Sequence, residues 1–226
     1  MQAPPPSATP SRLRHTVLDL GSDHGQVEAL ATGDPDGFPL FFFHGWPSGA
    51  SQGAVYDEAA RELGLRIIAL NRPGIGRSSP DPGHCPATWP QRVAAAADAL
   101  EIREFAVLAV SGGGPYALAT AHGLPDRVVA CTVVSGAPPL HGRTRSKELF
   151  WWYRFLIAFR DRFPDLAEAG VGALDPLVRR RPPGWVLAVA GRVMPRRDRE
   201  AVRSPAAALS FLGFREAMDS GARAVL

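Results

Sequence analysis

Apolar and polar positions change their spacing several times along the chain, and each change marks an element. His15–Leu20 and Gln26–Thr32 alternate apolar with polar residues around Gly21-Ser22-Asp23-His24-Gly25, which predicts an antiparallel hairpin. Gly33-Asp34-Pro35-Asp36-Gly37 is a second turn, and Pro39–Phe43 is a short, wholly apolar run. Runs of that kind are strands covered on both faces of a parallel sheet. Ala54–Leu63 reads as a helix, Leu65–Leu70 as a buried strand, and Trp89–Leu100 as an Ala-rich helix. Phe105–Val110 is another apolar strand, followed by a helix with Pro115 in its first turn. Arg127–Ser135 adds one more. Strands alternating with helices predict the α/β class, with a doubly wound, mostly parallel sheet.

From about Leu140 the texture changes, and no further strand of that quality follows. Helical spacing appears instead at Lys147–Arg162, Gly172–Arg180, Trp185–Met194 and Ser204–Met218, separated by Pro and Gly. The division is therefore a disordered tail over residues 1–12, an α/β core over 13–140 and a helical second layer over 141–226. Phe150-Trp151-Trp152-Tyr153 with Phe155 and Phe159 makes one of those helices unusually aromatic. Packing against the core is the favoured reading of it. An apolar lid and a membrane-surface helix flanked by Arg154, Arg160 and Arg162 are the alternatives.

Composition narrows the function classes. At 226 residues, 46% hydrophobic and 21% charged, the chain can bury a substantial core. A net charge of +3 is too mild to argue for nucleic acid, and no apolar run reaches the length of a bilayer span. The N-terminus has no signal-peptide core, and Cys85 and Cys131 make no disulfide framework. These features predict a cytoplasmic protein with reduced thiols, Cys131 being a structural one inside a buried strand. No His, Cys or carboxylate group has metal-ligand spacing, so neither metal nor cofactor is expected, and the implied partner is a small-molecule substrate.

The candidate chemistry sits at Phe105–Tyr116, FAVLAVSGGGPY. A buried strand ends at Ser111, three glycines follow, and a helix starts. This is the strand–turn–helix order of a nucleophile elbow, with small residues on either side letting strand and helix pass closely. The usual Gly-x-Ser-x-Gly reads here Ala109-Val110-Ser111-Gly112-Gly113. A phosphate loop is the competing reading, but both the G-K-[ST] ending and the G-x-G-x-x-G spacing are missing.

Two further motifs end the two preceding core strands, His44-Gly45-Trp46-Pro47 and Arg72-Pro73-Gly74-Ile75-Gly76-Arg77-Ser78. With the elbow they resemble the α/β-hydrolase superfamily, specifically its cap-bearing serine hydrolases, over Leu13–Leu140. The resemblance implies Ser111 as nucleophile and the backbone N–H groups of Trp46 and Gly112 as oxyanion-hole donors. It implies structural roles for His44 and the RPGxG segment, and a helical cap over the site. Asn71 stands where many relatives have Asp, a departure expected to affect packing. It implies an ester or similar carbonyl substrate and an acyl-Ser111 intermediate, since Ser at the elbow disfavours the alkyl-transfer chemistry of epoxide hydrolases and haloalkane dehalogenases. A non-catalytic binding protein and a cofactor-free perhydrolase or haloperoxidase share these features.

In this fold the triad runs Ser, then acid, then His. Only His122 and His141 follow Ser111. His122 lies along the elbow helix, displaced by about 15 Å at the usual rise. His141 stands just past the next strand, with no acid in a matching role. The expectation is therefore a hydrolase core lacking its last strands, truncated before the triad acid and His. Its outermost strand, Val128–Ser135, would be an exposed edge through which the chain self-associates.

Overall fold

The computed structural model describes residues 13–137, 151–179, 200 and 205–221. The expected tail at 1–12, the helix at Trp185–Met194 and His141 lie outside the described residues. Six strands form one sheet: β1 (His15–Asp19), β2 (Gln26–Gly33), β3 (Phe38–Phe43), β4 (Leu65–Leu70), β5 (Phe105–Val110) and β6 (Val128–Val134). Their order across the sheet is β1-β2-β4-β3-β5-β6. β1, β2 and β4 pair antiparallel, whereas β4, β3, β5 and β6 run parallel. The mostly parallel α/β sheet expected from the alternation of apolar runs and helices is what forms.

Consecutive phenylalanines in β3 show why the run has no polar member. Phe41 and Phe43 enter the core on one face, and Phe42 enters the core on the other; all three are buried. Each such side chain contributes roughly 1.5–3 kcal/mol by leaving water. On the first face α2 (Trp89–Ala99) and α3 (Gly114–Gly123) cover the sheet. Phe41 meets Phe105 edge-on at 4.7 Å between ring centres, and Phe43 meets Trp89 likewise at 5.6 Å. On the second face lie a 3-10 segment (Ala50–Tyr56) and α1 (Asp57–Glu62), where a single helix from Ala54 is the sequence expectation. The tighter segment fits because Gly53 lies flat on the sheet, where a Cβ would stand 2.8 Å from the Ala69 Cβ. Asp57 then fixes the start of α1, accepting hydrogen bonds from the Thr32 hydroxyl and the Gly33 N–H.

The two faces are not covered equally. Phe105, Val107 and Ala109 of β5 are buried beneath α2 and α3, but Ala106, Leu108 and Val110 on the other face are only half-buried. In β6, Ala130, Cys131 and Thr132 are exposed, and Val129 and Val134 keep 57% and 46% of their surface in solvent. Cys131 is thus not the buried structural thiol that an apolar strand predicts. It lies on the outermost strand of the sheet, where no neighbouring strand covers it among the described residues.

Three helices are described beyond residue 150: α4 (Trp151–Arg162), α5 (Pro164–Arg179) and α6 (Pro205–Asp219). Trp151, Phe155 and Phe163 remain about half exposed, at 63%, 52% and 47%. Phe155 stacks on Phe159 at 6.0 Å, and Phe159 meets the Phe163 ring at a tilt, 5.7 Å away. α6 does reach the core. Its Glu216 carboxylate accepts from Ser51 N–H at 2.9 Å and from the Asn71 amide at 2.6 Å, and the Ser220 hydroxyl accepts from Gly76 N–H at 2.7 Å.

Candidate active site

Strand order reverses between β3 and β5, since the connection leaving β3 runs to β4 on one side and β5 returns on the other. In open α/β sheets, ligands bind in the crevice beyond such a reversal. The loops leaving β3 and β5 carry His44-Gly45-Trp46 and Ser111-Gly112-Gly113.

Ser111 has φ of 51°, in the left-handed region that residues with a side chain seldom adopt. It is held there by its surroundings. Its carbonyl accepts from the Gly114 N–H, where α3 begins, and from the Ala137 N–H at 2.8 Å. The glycines after it permit the turn for separate reasons. A Cβ at Gly113 would overlap the Phe43 carbonyl oxygen, and one at Gly114 would stand 3.0 Å from a Val133 methyl. At Gly112 a Cβ would stand 2.9 Å from the Trp46 Cβ and 3.1 Å from the Trp46 backbone nitrogen. At Gly45 it would stand 3.5 Å from the Ser111 Cβ. Ser111, Gly112, Gly45 and Trp46 thus meet at one point.

The β3 loop is clamped from beneath. Arg72 is buried, and its guanidinium donates to the His44 carbonyl at 2.8 Å and the Gly45 carbonyl at 2.9 Å. Gly45 N–H in turn donates to Gln52 Oε1 at 2.8 Å. Burial lowers the Arg72 pKa to about 10, which leaves it charged at neutral pH. The guanidinium also lies 5.2 Å from the centre of the Tyr116 ring. His44 is fully enclosed, its Nδ1 3.0 Å from the Gly45 carbonyl and its Nε2 without a partner. Burial, and then the nearby Arg72 charge, push its pKa well below the ordinary imidazole range. A neutral, buried ring fits the loop-shaping role expected of it.

Behind this clamp is a group that the motifs do not reveal. His84 stacks on Tyr116 at 5.3 Å and meets Trp89 edge-on at 5.5 Å, with neither ring nitrogen hydrogen-bonded. Burial, then the charges of Arg72 and Arg92, lower its pKa to about 4. Asn71 is the other. Its side-chain oxygen accepts from Ala50 N–H at 2.7 Å, while its amide nitrogen donates to Glu28 at 3.2 Å and Glu216 at 2.6 Å. Burial alone would raise the Glu28 pKa. The Arg77 N–H and guanidinium outweigh burial and hold it below the ordinary value. Both clusters depend on long-range contacts that no local pattern encodes.

Among the described residues, no histidine bonds the Ser111 hydroxyl. His44 faces Gly45, His15 lies against Ser51 at 3.2 Å, and His122 is exposed in the last turn of α3. The closest ligand-type cluster, His15 with Glu28 and Glu216, is already engaged by Arg77, Asn71 and Ser51. No helix among the described residues is long and apolar enough to cross a membrane.

A strand-order reversal, with a left-handed serine between an apolar strand and a helix beside it, fits an α/β-hydrolase core. Comparison with known proteins agrees: the family model for the alpha/beta hydrolase fold matches residues 39–177, and the chain belongs to that family. A non-heme chloroperoxidase of Streptomyces lividans is 38% identical over 110 residues, covering 48% of this chain and 40% of that protein. A bifunctional esterase/perhydrolase of Acinetobacter calcoaceticus is 31% identical over 116 residues, covering 50% of this chain and 42% of that protein. The matches thus span about two fifths of the length of these relatives. Among solved structures, an alpha/beta hydrolase fold protein from Nakamurella multipartita superposes with a TM-score of 0.52 at 25% identity, covering 93% of this chain and 75% of that one. A thermophilic esterase from Thermogutta terrifontis, at 17% identity, shares the fold with a TM-score of 0.54 over 94% of this chain and 72% of its own.

Proposed function

We propose that this chain carries the nucleophile and oxyanion hole of a serine hydrolase acting on an ester or similar carbonyl substrate. The observation that carries the reading is the contact of Gly112 with Trp46 beside a left-handed Ser111. Ser111 Oγ attacks the substrate carbonyl carbon and gives up its proton to a general base, a part that none of the described histidines is placed to play. The electron pair moves to the carbonyl oxygen, which accepts hydrogen bonds from the N–H groups of Trp46 and Gly112. Collapse expels the alcohol, leaving an acyl-Ser111 ester that water cleaves. Donors fixed before the reaction need no reorganisation as charge develops, and one of them is typically worth roughly 10²–10³ in rate. Arg72 supports the hole by holding both carbonyls of the loop that carries Trp46. Helices α4, α5 and α6 belong to the cap in this reading, with residues 13–140 as the core, and the protein acts in the cytoplasm.

The names of two relatives favour a second reading of the same site, in which hydrogen peroxide replaces water and cleaves acyl-Ser111 to a peracid. Hydrolysis of short-chain p-nitrophenyl esters, with and without peroxide, separates the two. Nitrophenol release that disappears in Ser111→Ala supports the nucleophile, and peracid formed in proportion to peroxide supports the second reading. Folded protein that binds esters without cleaving them would mark a binding protein instead.

A further inference from the structure

The loop after β3 is held from two sides, and the second side reaches into the helices beyond residue 150. Arg72 takes the carbonyls of His44 and Gly45. The peptide unit between His44 and Gly45 is held at its other end too, because the Gly45 N–H donates to Gln52 Oε1 at 2.8 Å. A peptide unit is planar, so a fixed carbonyl and a fixed N–H set its orientation. The next unit carries the Trp46 N–H, and Arg72 holds that one by the Gly45 carbonyl. Gln52 thus bears on the Trp46 N–H through the backbone.

Gln52 itself sits in the 3-10 segment Ala50–Tyr56, which Gly49 leaves without a side-chain cap. The first N–H groups of such a segment need partners from elsewhere. Here they come from far along the chain. Ala50 N–H donates to Asn71 Oδ1 at 2.7 Å, and Ser51 N–H donates to Glu216 Oε2 at 2.9 Å. The other Glu216 oxygen accepts from the Asn71 amide at 2.6 Å, so one carboxylate on α6 secures both partners. Glu216 also lies over Gly49, where a Cβ would stand 2.6 Å from its carboxyl carbon, and the Gly49 carbonyl accepts from Gln52 N–H at 3.0 Å. Gly213 and Glu216, three residues apart, share one face of α6. A Cβ at Gly213 would stand 2.5 Å from Ser48 Oγ and 3.2 Å from the Gln52 Cβ. Helix and loop therefore meet at backbone distance on both sides of Gln52.

We propose that α6 sets the oxyanion loop: Glu216 and Gly213 seat the Ala50–Tyr56 segment, and Gln52 on that segment holds the Gly45 peptide unit beside Ser111. Gln52 and Glu216 are then positioning residues that act on the Trp46 donor through the main chain. The consequence for catalysis rests on the serine-hydrolase reading, whereas the mechanical link from α6 to Gly45 does not. In that reading α6 belongs to the cap, so displacing the cap slackens the oxyanion hole.

The test uses the full 226-residue chain, with amide hydrogen exchange read at Gly45 by NMR and the rate of fluorophosphonate adduct formation read at Ser111. Gln52→Met keeps the length of the side chain and removes the acceptor. Gly45 exchange should quicken about tenfold, as loss of one hydrogen bond implies. Gln52→Glu keeps an acceptor and should keep exchange slow. In Glu216→Gln one accepting oxygen becomes a donor, and Gly45 exchange should quicken at least about threefold from that remote change. Gly213→Ala, which pushes α6 off the segment, serves the same purpose if Glu216→Gln fails to fold. Wherever Gly45 loosens, adduct formation and kcat for esters should fall by a similar factor with KM little changed, a split that lost stability alone does not produce. Gly45 exchange unmoved in the folded α6 variant overturns the link, and a loosened Gly45 with undiminished reaction at Ser111 overturns the positioning role. A parent chain that takes no adduct sinks the nucleophile reading alone, because Gly45 exchange in the same variants still decides whether α6 holds the loop.

Discussion

Arg72 donates to the Gly45 carbonyl at 2.9 Å, and Gly45 lies directly against Ser111, so a buried cation sets the distance between the β3 loop and the elbow. A guanidinium suits this task because its planar fork reaches two adjacent carbonyls at once and stays charged when enclosed. Arg72→Lys keeps the charge but offers a point donor. The protein should lose about 2 kcal/mol of stability in urea denaturation, in line with hydrogen bonds made by charged donors. Ester turnover should fall with KM little changed, because the donors on the loop act on the transition state. Unaltered stability and turnover would show that the loop holds itself.

Two neighbouring glycines should respond differently to the same change. At Gly112 the added methyl presses on Trp46, 2.9 Å from its Cβ and 3.1 Å from its backbone nitrogen, so the clamped β3 loop must give way. Gly112→Ala should lose about 1–3 kcal/mol of stability and roughly 10²-fold in ester turnover. At Gly113 the methyl meets the Phe43 carbonyl at the end of a central strand. Gly113→Ala should destabilise the protein by about 3 kcal/mol or more. Thermal melts and turnover of the two variants, side by side, check the contrast.

Asn71 is placed where an aspartate would fail. Its amide donates to carboxylates of both Glu28 and Glu216, the second at 2.6 Å. Asn71→Asp gathers three carboxylates around one buried point and removes one of the hydrogen bonds that tie α6 to the core. A loss of about 3 kcal/mol is expected at neutral pH, shrinking on acidification as one carboxylate takes up a proton. Urea denaturation at neutral and acid pH measures both. An equal deficit at the two pH values would contradict the account.

The pH dependence of stability should carry a histidine signature. His84 titrates near 4 in the folded protein against an ordinary value of 6.5. Between those values the unfolded chain binds a proton there that the folded protein does not, so stability rises with pH and is lost as pH falls through the window. His44, also held well below 6.5, adds to the same slope. His84→Phe keeps an aromatic ring against Tyr116 and Trp89 and removes the titrating group. Stability measured in pH steps should flatten between about 6.5 and 5, with the His44 share remaining there and the lowered carboxylates, Glu28 among them, adding slope only towards 4. An unchanged slope would contradict this.

Much of the core could be read from spacing alone. β4 and β5 match the expected runs Leu65–Leu70 and Phe105–Val110 at both ends, because Gly64 and Asn71-Arg72-Pro73 bound the first and Ser111-Gly112 ends the second. The elbow was legible because its backbone demands small residues at fixed positions. Cys131 was misread because an apolar strand at the end of a sheet looks the same in sequence as one inside it. Arg72, Asn71 and His84 gained their roles from partners many residues away, and no pattern around them carries that information.

The central claim is that residue 111 is a nucleophile facing main-chain donors. Reaction of the folded chain with a fluorophosphonate, followed by peptide mass spectrometry, tests it most directly. The account predicts one adduct, on Ser111, absent in Ser111→Ala and slower to form in Gly112→Ala. Folded protein that takes no adduct, or takes it elsewhere and equally in Ser111→Ala, would contradict it.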